Sequence, residues 1–271
     1  MKVVLFCGGY GMRMRSGSES APKPMTPIGD RPVLWHIMRY YAYFGHTEFI
    51  LCLGYGAQAV KDYFLHYEET GSNDFVFRDG GRDIELLDTD TSDWKITFID
   101  TGDRTEIGER LRRARPYLEG DEMFLANYGD VLTNAPLDHV VDRFKASDAV
   151  GSLLAVKPQA SFHVVHVDEE TGQVKGFQSA ADLPLWINGG FFTLRQEIFD
   201  YIDEGEDLVG HGCARSAADG RMMAIPYRGF WAPMDTLKER TYLEELHRAG
   251  QGPWMLWKHP ESVGSLDATS S

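Results

Sequence analysis

Long apolar runs are missing from this chain. None approaches the roughly 20 residues that a membrane helix needs, and the first residues hold no run long enough for a secretory leader. Cysteine is scarce: Cys7, Cys52 and Cys213 are odd in number and two of them lie in apolar strand-like runs, which excludes a disulfide scaffold and reads as buried thiols in a reducing compartment. Basic charge is short as well. The 27 Lys and Arg stand against 41 Asp and Glu, a formal net charge of −14, so the continuous basic face that a nucleic acid requires is excluded. A nucleotide is not excluded, because a few local cations suffice for it. No Ser/His/Asp set, Cys/His cluster or internal repeat stands out. His36 falls in an apolar helical run, and His163 and His166 in a hairpin region. These absences lead to the expectation of a cytoplasmic protein with neither membrane nor nucleic acid as a partner.

What is present begins at the N-terminus. Residues 3–7 (VVLFC) are wholly apolar and rich in β-branched side chains, the pattern of a strand buried on both faces of a parallel sheet. They lead into Gly8, Gly9 and Gly11, then Arg13, Arg15 and, past a polar loop, Lys23 between Pro22 and Pro24. Glycines there let backbone N–H groups converge on an anion. Two guanidiniums and an ammonium then fall within reach of the same anion. Spacing alone leaves two readings open: a polyphosphate site, or a tightly packed turn followed by solvated arginines. Two familiar nucleotide motifs do not fit. A dinucleotide fingerprint needs a third glycine where the chain has Met14, and no Gly-Lys-Ser/Thr follows for a Walker A loop.

The remaining chain, of 271 residues in all, suits one large α/β domain or two small ones. Residues 31–45 carry apolar positions at helical spacing, with Pro32 suited to a first turn and Gly45 to a stop. Residues 49–53 read as a strand and 57–67 as an amphipathic helix, which establishes the alternation of an α/β fold. Residues 75–93 are acidic, turn-rich and unassigned. Strands are expected over 95–100, 123–127, 150–156 and 191–194, a hairpin over 162–168 and 173–178, and helices over 108–118, 138–146 and 237–249. A helix begins at 196, and 209–219 reads as a loop or short irregular helix. The strand over 123–127 delivers Tyr128-Gly129-Asp130. Ligands of open parallel sheets gather beyond the carboxyl ends of the strands, so Asp130 and the glycine loop arrive at one edge. A carboxylate beside a phosphate suits Mg²⁺, although a lone Asp after a strand also suits a turn or cap. Asp235, just ahead of the last helix, is open to the same capping reading. Asn188-Gly189-Gly190 is either a corner before a strand or a place where a polar ligand lies against the backbone, with Asn188 offering donor and acceptor.

These strings together resemble the sugar-1-phosphate nucleotidyltransferases, and within them the glucose-1-phosphate cytidylyltransferase group. The likeness rests on G-G-x-G-x-R with P-K-P-M downstream, on 34–38 (LWHIM), on Asp100-Thr101-Gly102, on Tyr128-Gly129-Asp130, on Asn188-Gly189-Gly190-Phe191-Phe192 and on 231–236 (WAPMDT), in that order along residues 1–257. The resemblance implies a single α/β domain, with a Rossmann-like, mixed but mostly parallel sheet, flanking helices and a smaller sugar-binding β-sheet. The sugar side would occupy about 150–230 and a C-terminal helical segment about 236–257, with a disordered tail over 258–271. It implies attack by a sugar 1-phosphate on the α-phosphorus of an NTP, CTP favoured, giving NDP-sugar and pyrophosphate. Gly8, Gly9 and Gly11 would hold the nucleotide, joined by Arg15, Arg110 and Gly129. Arg13 would hold the β- and γ-phosphates, Lys23 would neutralise the α-phosphate, and Asp130 and Asp235 would hold Mg²⁺. Asn188, Gly189, Gly190, Trp231 and Lys175 would face the sugar. Relatives of this kind are commonly homo-oligomers.

Two departures stand out. Met12 replaces a Thr before the loop arginine, and Ser179-Ala180-Ala181 stands where the family's E-K-P lysine grips the sugar phosphate. Arg15, Lys175 or an arginine among Arg110, Arg112, Arg113 and Arg115 are the candidates to replace it, and the gap suggests a sugar other than glucose. The alternative from another class is a nucleotide-sugar-binding or regulatory homologue without turnover; the same chemistry with GTP, UTP or dTTP also stays open.

Overall fold

The computed structural model describes residues 1–8, 22–71, 73–158, 163–180 and 183–266. Its opening strand, Val3–Phe6, is buried throughout and lies inside an eight-stranded sheet. Glu48–Leu53 and Met123–Tyr128 flank it, both parallel to it, and Lys95–Asp100 continues the parallel set at one end. On the other flank Phe192–Arg195 runs antiparallel to Met123–Tyr128 and to Gly151–Val156. Ile187–Asn188 pairs antiparallel with the carboxyl end of Gly151–Val156, and Met222–Tyr227 runs parallel along it. The expected mixed, mostly parallel α/β sheet is thus present.

Alternation of side chains explains why the central strands are apolar without a break. Val3 and Leu5 enter one core cluster while Val4 and Phe6 enter the other. The helices Val33–Tyr43 and Leu137–Lys145 supply the first cluster, and Ile107–Ala114 the second. Each such buried aliphatic or aromatic side chain stabilises the fold by about 1.5–3 kcal/mol. His36 is a buried polar side chain of the same helix. It is 2% exposed, donates from Nε2 to the Ile28 carbonyl oxygen and accepts at Nδ1 from the Trp254 indole, and burial pulls its pKa down to about 3. All three cysteines are buried and free.

Several elements differ from the expectation. The helix begins at Val33 because Arg31–Pro32 pairs with Pro27–Ile28; the fixed φ of Pro32 serves an extended residue as well as a helical one. The unassigned 75–93 region holds an antiparallel hairpin, Phe75–Arg78 with Asp83–Leu86. Its Phe77 is 61% exposed, so no buried face marked it. Met222–Tyr227 escaped because Pro226 interrupts the pattern, which an edge strand tolerates. A smaller antiparallel sheet, His163–Val167 with Val174–Ser179, stands apart from the main one. The tail expected to be disordered from 258 instead returns to the body: Gly264 N–H donates to the Asn134 carbonyl oxygen, and Val263 and Leu266 pack on the core. Residues 267–271 lie outside the described residues. No described helix is long and apolar enough to cross a membrane.

Candidate active site

The carboxyl ends of the parallel strands share one edge, and the side chains that arrive there fall into a clamp and a site. Arg110, on the helix Ile107–Ala114, forms the clamp. Its Nη2 donates to the carbonyl oxygens of Gly8 and Asp103, its Nη1 to the Leu53 carbonyl and the Thr101 hydroxyl, and its Nε to the Thr105 carbonyl. All five N–H groups are therefore engaged, and the residue is 3% exposed. Burial lowers its pKa. Gly8 permits this approach, since a Cβ there would lie 2.1 Å from Arg110 Nη1. This corrects the expectation for Arg110: the sequence assigned it to the nucleotide, but the fold uses its donors to tie the ends of three strands.

Lys23 opens the short 3-10 turn Lys23–Met25, which Pro24 favours by presetting φ at the first turn. Its ammonium lies 3.5 Å from Asp130 Oδ2 and bonds directly to Asp235 Oδ1. Asp130 follows the strand Met123–Tyr128, and Asp235 arrives from far along the chain through a two-stranded pair, Trp231–Pro233 with Val131–Thr133, in which Pro233 faces Val131. Met234 N–H donates to the Asp130 carbonyl oxygen at 2.8 Å, so the backbones of the two acidic residues are linked. Asp235 is not the cap of the last helix. Thr236 caps Leu237–Arg248 in a capping box with Glu239, and Glu239 Oε2 also accepts the Asp235 N–H at 2.8 Å. The Asp235 side chain is thus left to the site.

Electrostatics at this point are unbalanced. Burial raises the pKa of Asp130, Lys23 opposes this and Asp235 reinforces it, with a net upward result. Burial by itself would lower the pKa of Lys23, but its bonds and proximity to Asp235 and Asp130 raise it. Among the described residues two carboxylates share one ammonium, which leaves an excess of negative charge there.

Two cavities meet here. One, of about 320 Å³, is walled by Phe6, Gly8, Lys23, Arg110, Gly129 and Asp130, with the 103–107 loop opposite. The other, of about 530 Å³, is walled by Asn188, Gly189, Trp231, Asp235 and Pro158. Tyr128 and Asp130 belong to both walls. A larger cavity, of about 790 Å³, opens elsewhere against Trp35, Arg39 and Trp257. It touches none of these acidic groups, so volume does not mark the site.

In the second cavity Asn188 donates to the Tyr128 hydroxyl and accepts the Gly190 N–H, both at 2.9 Å. The buried Asn127 accepts the N–H of Phe191, whose φ is +49°. Gly190, at φ +76°, is required beside it, because a Cβ there would lie 2.4 Å from Asn127 Oδ1. Trp231 is buried and donates its indole N–H to the Gly189 carbonyl at 2.8 Å. The structure therefore gathers Gly8, Lys23, Gly129, Asp130, Asn188, Gly189, Trp231 and Asp235 around one junction, with Gly190 shaping the turn. Lys175 is not brought there. Its ammonium pairs instead with Asp168 at 2.6 Å on the exposed hairpin, a departure from the expectation that it faces the sugar. Arg112 and Arg113 pair with Glu109, and Arg115 lies over the Phe199 ring. Gly9, Gly11, Arg13 and Arg15 lie outside the described residues. Sequence reasoning overlooked Tyr128 as a shared wall and Asn127 as a support. A lone amide within an otherwise apolar strand was the signal available for Asn127.

Fold and site define an α/β protein with two adjoining ligand cavities at the carboxyl edge of its sheet. The chain belongs to the nucleotidyl transferase family, whose model matches residues 2–245. It is similar to the glucose-1-phosphate cytidylyltransferases of Salmonella typhi and Salmonella typhimurium, each 37% identical over 265 residues that cover 95% of this chain and 100% of the relative. Among solved structures it is similar to HddC from Yersinia pseudotuberculosis, with a TM-score of 0.60, 19% identity, and coverage of 91% of this chain and 99% of that one. At that identity the likeness speaks for the fold alone.

Proposed function

We propose that this chain is a sugar-1-phosphate nucleotidyltransferase that joins a nucleoside triphosphate, CTP favoured, to a sugar 1-phosphate and releases pyrophosphate. The observation that carries this reading is Asp130, which stands in the wall of both cavities and shares the Lys23 ammonium with Asp235. A transfer between two bound phosphates needs one point where both meet, and the junction is that point. The similarity to cytidylyltransferases supports the nucleotide and the reaction.

In the reaction an oxygen of the sugar 1-phosphate forms a bond to the α-phosphorus of the triphosphate. The bond from that phosphorus to the β-bridging oxygen breaks, and pyrophosphate leaves with the electron pair. The attacking oxygen is already anionic, so no general base is required, and catalysis is positioning plus charge neutralisation. The cavity beside Gly8 and Gly129 would take the triphosphate and the cavity beside Asn188 and Trp231 the sugar. Lys23 is placed to neutralise charge that builds on the α-phosphate.

The donor set fits Mg²⁺. Two carboxylates converge, their charge exceeds that of the single ammonium between them, and no third His, Cys, Asp or Glu joins them among the described residues. Mg²⁺ takes one or two carboxylates and completes its shell with phosphate oxygens and water. Asp130 and Asp235 would hold the ion, which when bound supplies Lewis-acid neutralisation of the phosphates. Free buried cysteines support a reducing, cytoplasmic setting. Exposed Phe75, Phe77 and Ile84 on one hairpin and Val165 and Phe177 on the other support a homo-oligomer.

The test is a pyrophosphate-release screen of CTP, UTP, dTTP and GTP against sugar 1-phosphates with Mg²⁺. Release with CTP and one acceptor supports the reading. Nucleotide binding without release under any combination replaces it with the non-catalytic alternative.

A further inference from the structure

Resting on that reading, we propose that Lys157 and Arg228 bind a second anionic group on the acceptor sugar, at the end remote from its 1-phosphate. Sheet register creates the arrangement. Val156 pairs with Ile187 on one side and with Tyr227 on the other. The next row beyond the sheet therefore brings Trp186, Lys157 and Arg228 side by side. Their contacts agree with that placement: Lys157 Nζ lies 4.8 Å and Arg228 Cζ 5.0 Å from the centre of the Trp186 ring.

Neither cation meets a carboxylate among the described residues. The Lys157 ammonium makes one bond, to the Leu183 carbonyl at 2.9 Å, and keeps two donors. Arg228 and Trp186 are exposed. In a chain of net charge −14, two adjacent cations with no acidic partner among the described residues form a local anion site. Its position relates it to the second cavity, because the residues directly after Lys157 and Trp186, namely Pro158 and Ile187, line that cavity's wall.

Distance decides which end of the sugar is read. The strand that ends at Val156, just before Lys157, lies two places along the sheet from the strand that ends at Tyr128, two residues before Asp130. With strands about 4.8 Å apart, Lys157 stands on the order of 10 Å along the edge from the junction. One phosphate cannot lie against both Asp130 and this pair. The 1-phosphate belongs at the junction, and the pair faces the opposite end of the ring. The chemistry it would select is a carboxylate or a phosphate on the distal carbon, each an acceptor for the guanidinium fork and the ammonium.

The experiment compares kcat/KM for the full chain with CTP and Mg²⁺ on three acceptors: a neutral hexose 1-phosphate, the corresponding 6-carboxylate, and the 1,6-bisphosphate. One of the two anionic acceptors should exceed the neutral one by about a hundredfold, about tenfold for each charge-assisted contact. Which of them does so separates carboxylate from phosphate. Lys157→Ala with Arg228→Ala should erase that preference through KM of the anionic acceptor, with KM for CTP unchanged. Both side chains lie outside the two core clusters, and an unaltered melting temperature checks that the fold persists. A wild-type enzyme that uses the neutral acceptor as well as either anionic one overturns the proposal, as does a preference that survives the double substitution. Absence of pyrophosphate release from all three acceptors with each of CTP, UTP, dTTP and GTP overturns the transferase reading itself, a result distinct from either.

Discussion

Lys23 and Arg110 are both cations at the carboxyl edge of the same sheet, and both read from the sequence as phosphate contacts. The fold treats them in opposite ways. Arg110 spends five donors on carbonyl and hydroxyl oxygens, so no N–H group is free for a ligand. Lys23 sits between two carboxylates whose combined charge exceeds its own. A hydrogen-bonded clamp of that kind is architecture. An ammonium shared by two acids can exchange partners when a phosphate or a divalent ion enters, and exchangeable charge is what a site requires.

The largest effect that would sharpen this contrast is on stability. Arg110→Met should leave the inward Gly8 carbonyl without a donor, while Leu53 keeps those of Thr101, and cost about 1–3 kcal/mol for that buried unsatisfied group alone. A urea unfolding midpoint reads it; an unshifted midpoint would make Arg110 a spare cation after all. Next comes Asp130→Asn, which should reduce pyrophosphate release by about a hundredfold or more, as losing one charge-stabilising group does elsewhere. The same change should raise the melting temperature in metal-free buffer. Because the folded pKa of Asp130 lies above its unfolded value, the fold prefers the protonated carboxyl. That stabilisation is complete below the unfolded pKa, near 3.9 for aspartate, and is lost as pH rises through the folded value, so at neutral pH the ionised group opposes folding. A variant that loses both activity and stability would contradict this sign.

Lys23 has the complementary dependence. Its raised pKa stabilises the fold below the ordinary lysine range and ceases to do so as pH climbs through the folded value. Lys23→Met should therefore remove a pH-dependent loss of stability above about pH 10 that the wild type displays. The smallest effect is Thr236→Ala, about 1 kcal/mol from the lost cap. Because the same capping box holds the Asp235 backbone, that change should also raise the Mg²⁺ concentration for half-maximal release, whereas a cap of purely local importance would leave it unaltered.

The contrast also marks how far the sequence could be read. Apolar strands ending at one edge, each with its turn residue, declared the parallel half of the sheet, because burial on both faces leaves an unbroken apolar run. Asp130 was legible for the same reason. The pair Val131–Thr133 with Trp231–Pro233 was not, since two three-residue strands carry no periodicity. The duty of Arg110 was equally hidden: Arg112, Arg113 and Arg115 stand beside it, and only the packing of Gly8 tells which one turns inward. Lys175 and Lys157 show the same limit: Asp168, seven positions away across a hairpin, takes the Lys175 ammonium, whereas Lys157 meets a carbonyl, and composition does not tell the two apart.

The junction is built from parts far apart in order of synthesis. Lys23 and Asp235 are separated by 212 positions, and the strand Trp231–Pro233 that aligns Asp235 is made long after its partner Val131–Thr133. A nascent chain stopped before Trp231 could already stack its parallel strands while Asp130 still lacks Asp235, since domains begin to form as they emerge. The meeting of Lys23, Asp130 and Asp235 would then come after the parallel core has formed, so the sheet can exist before its junction does.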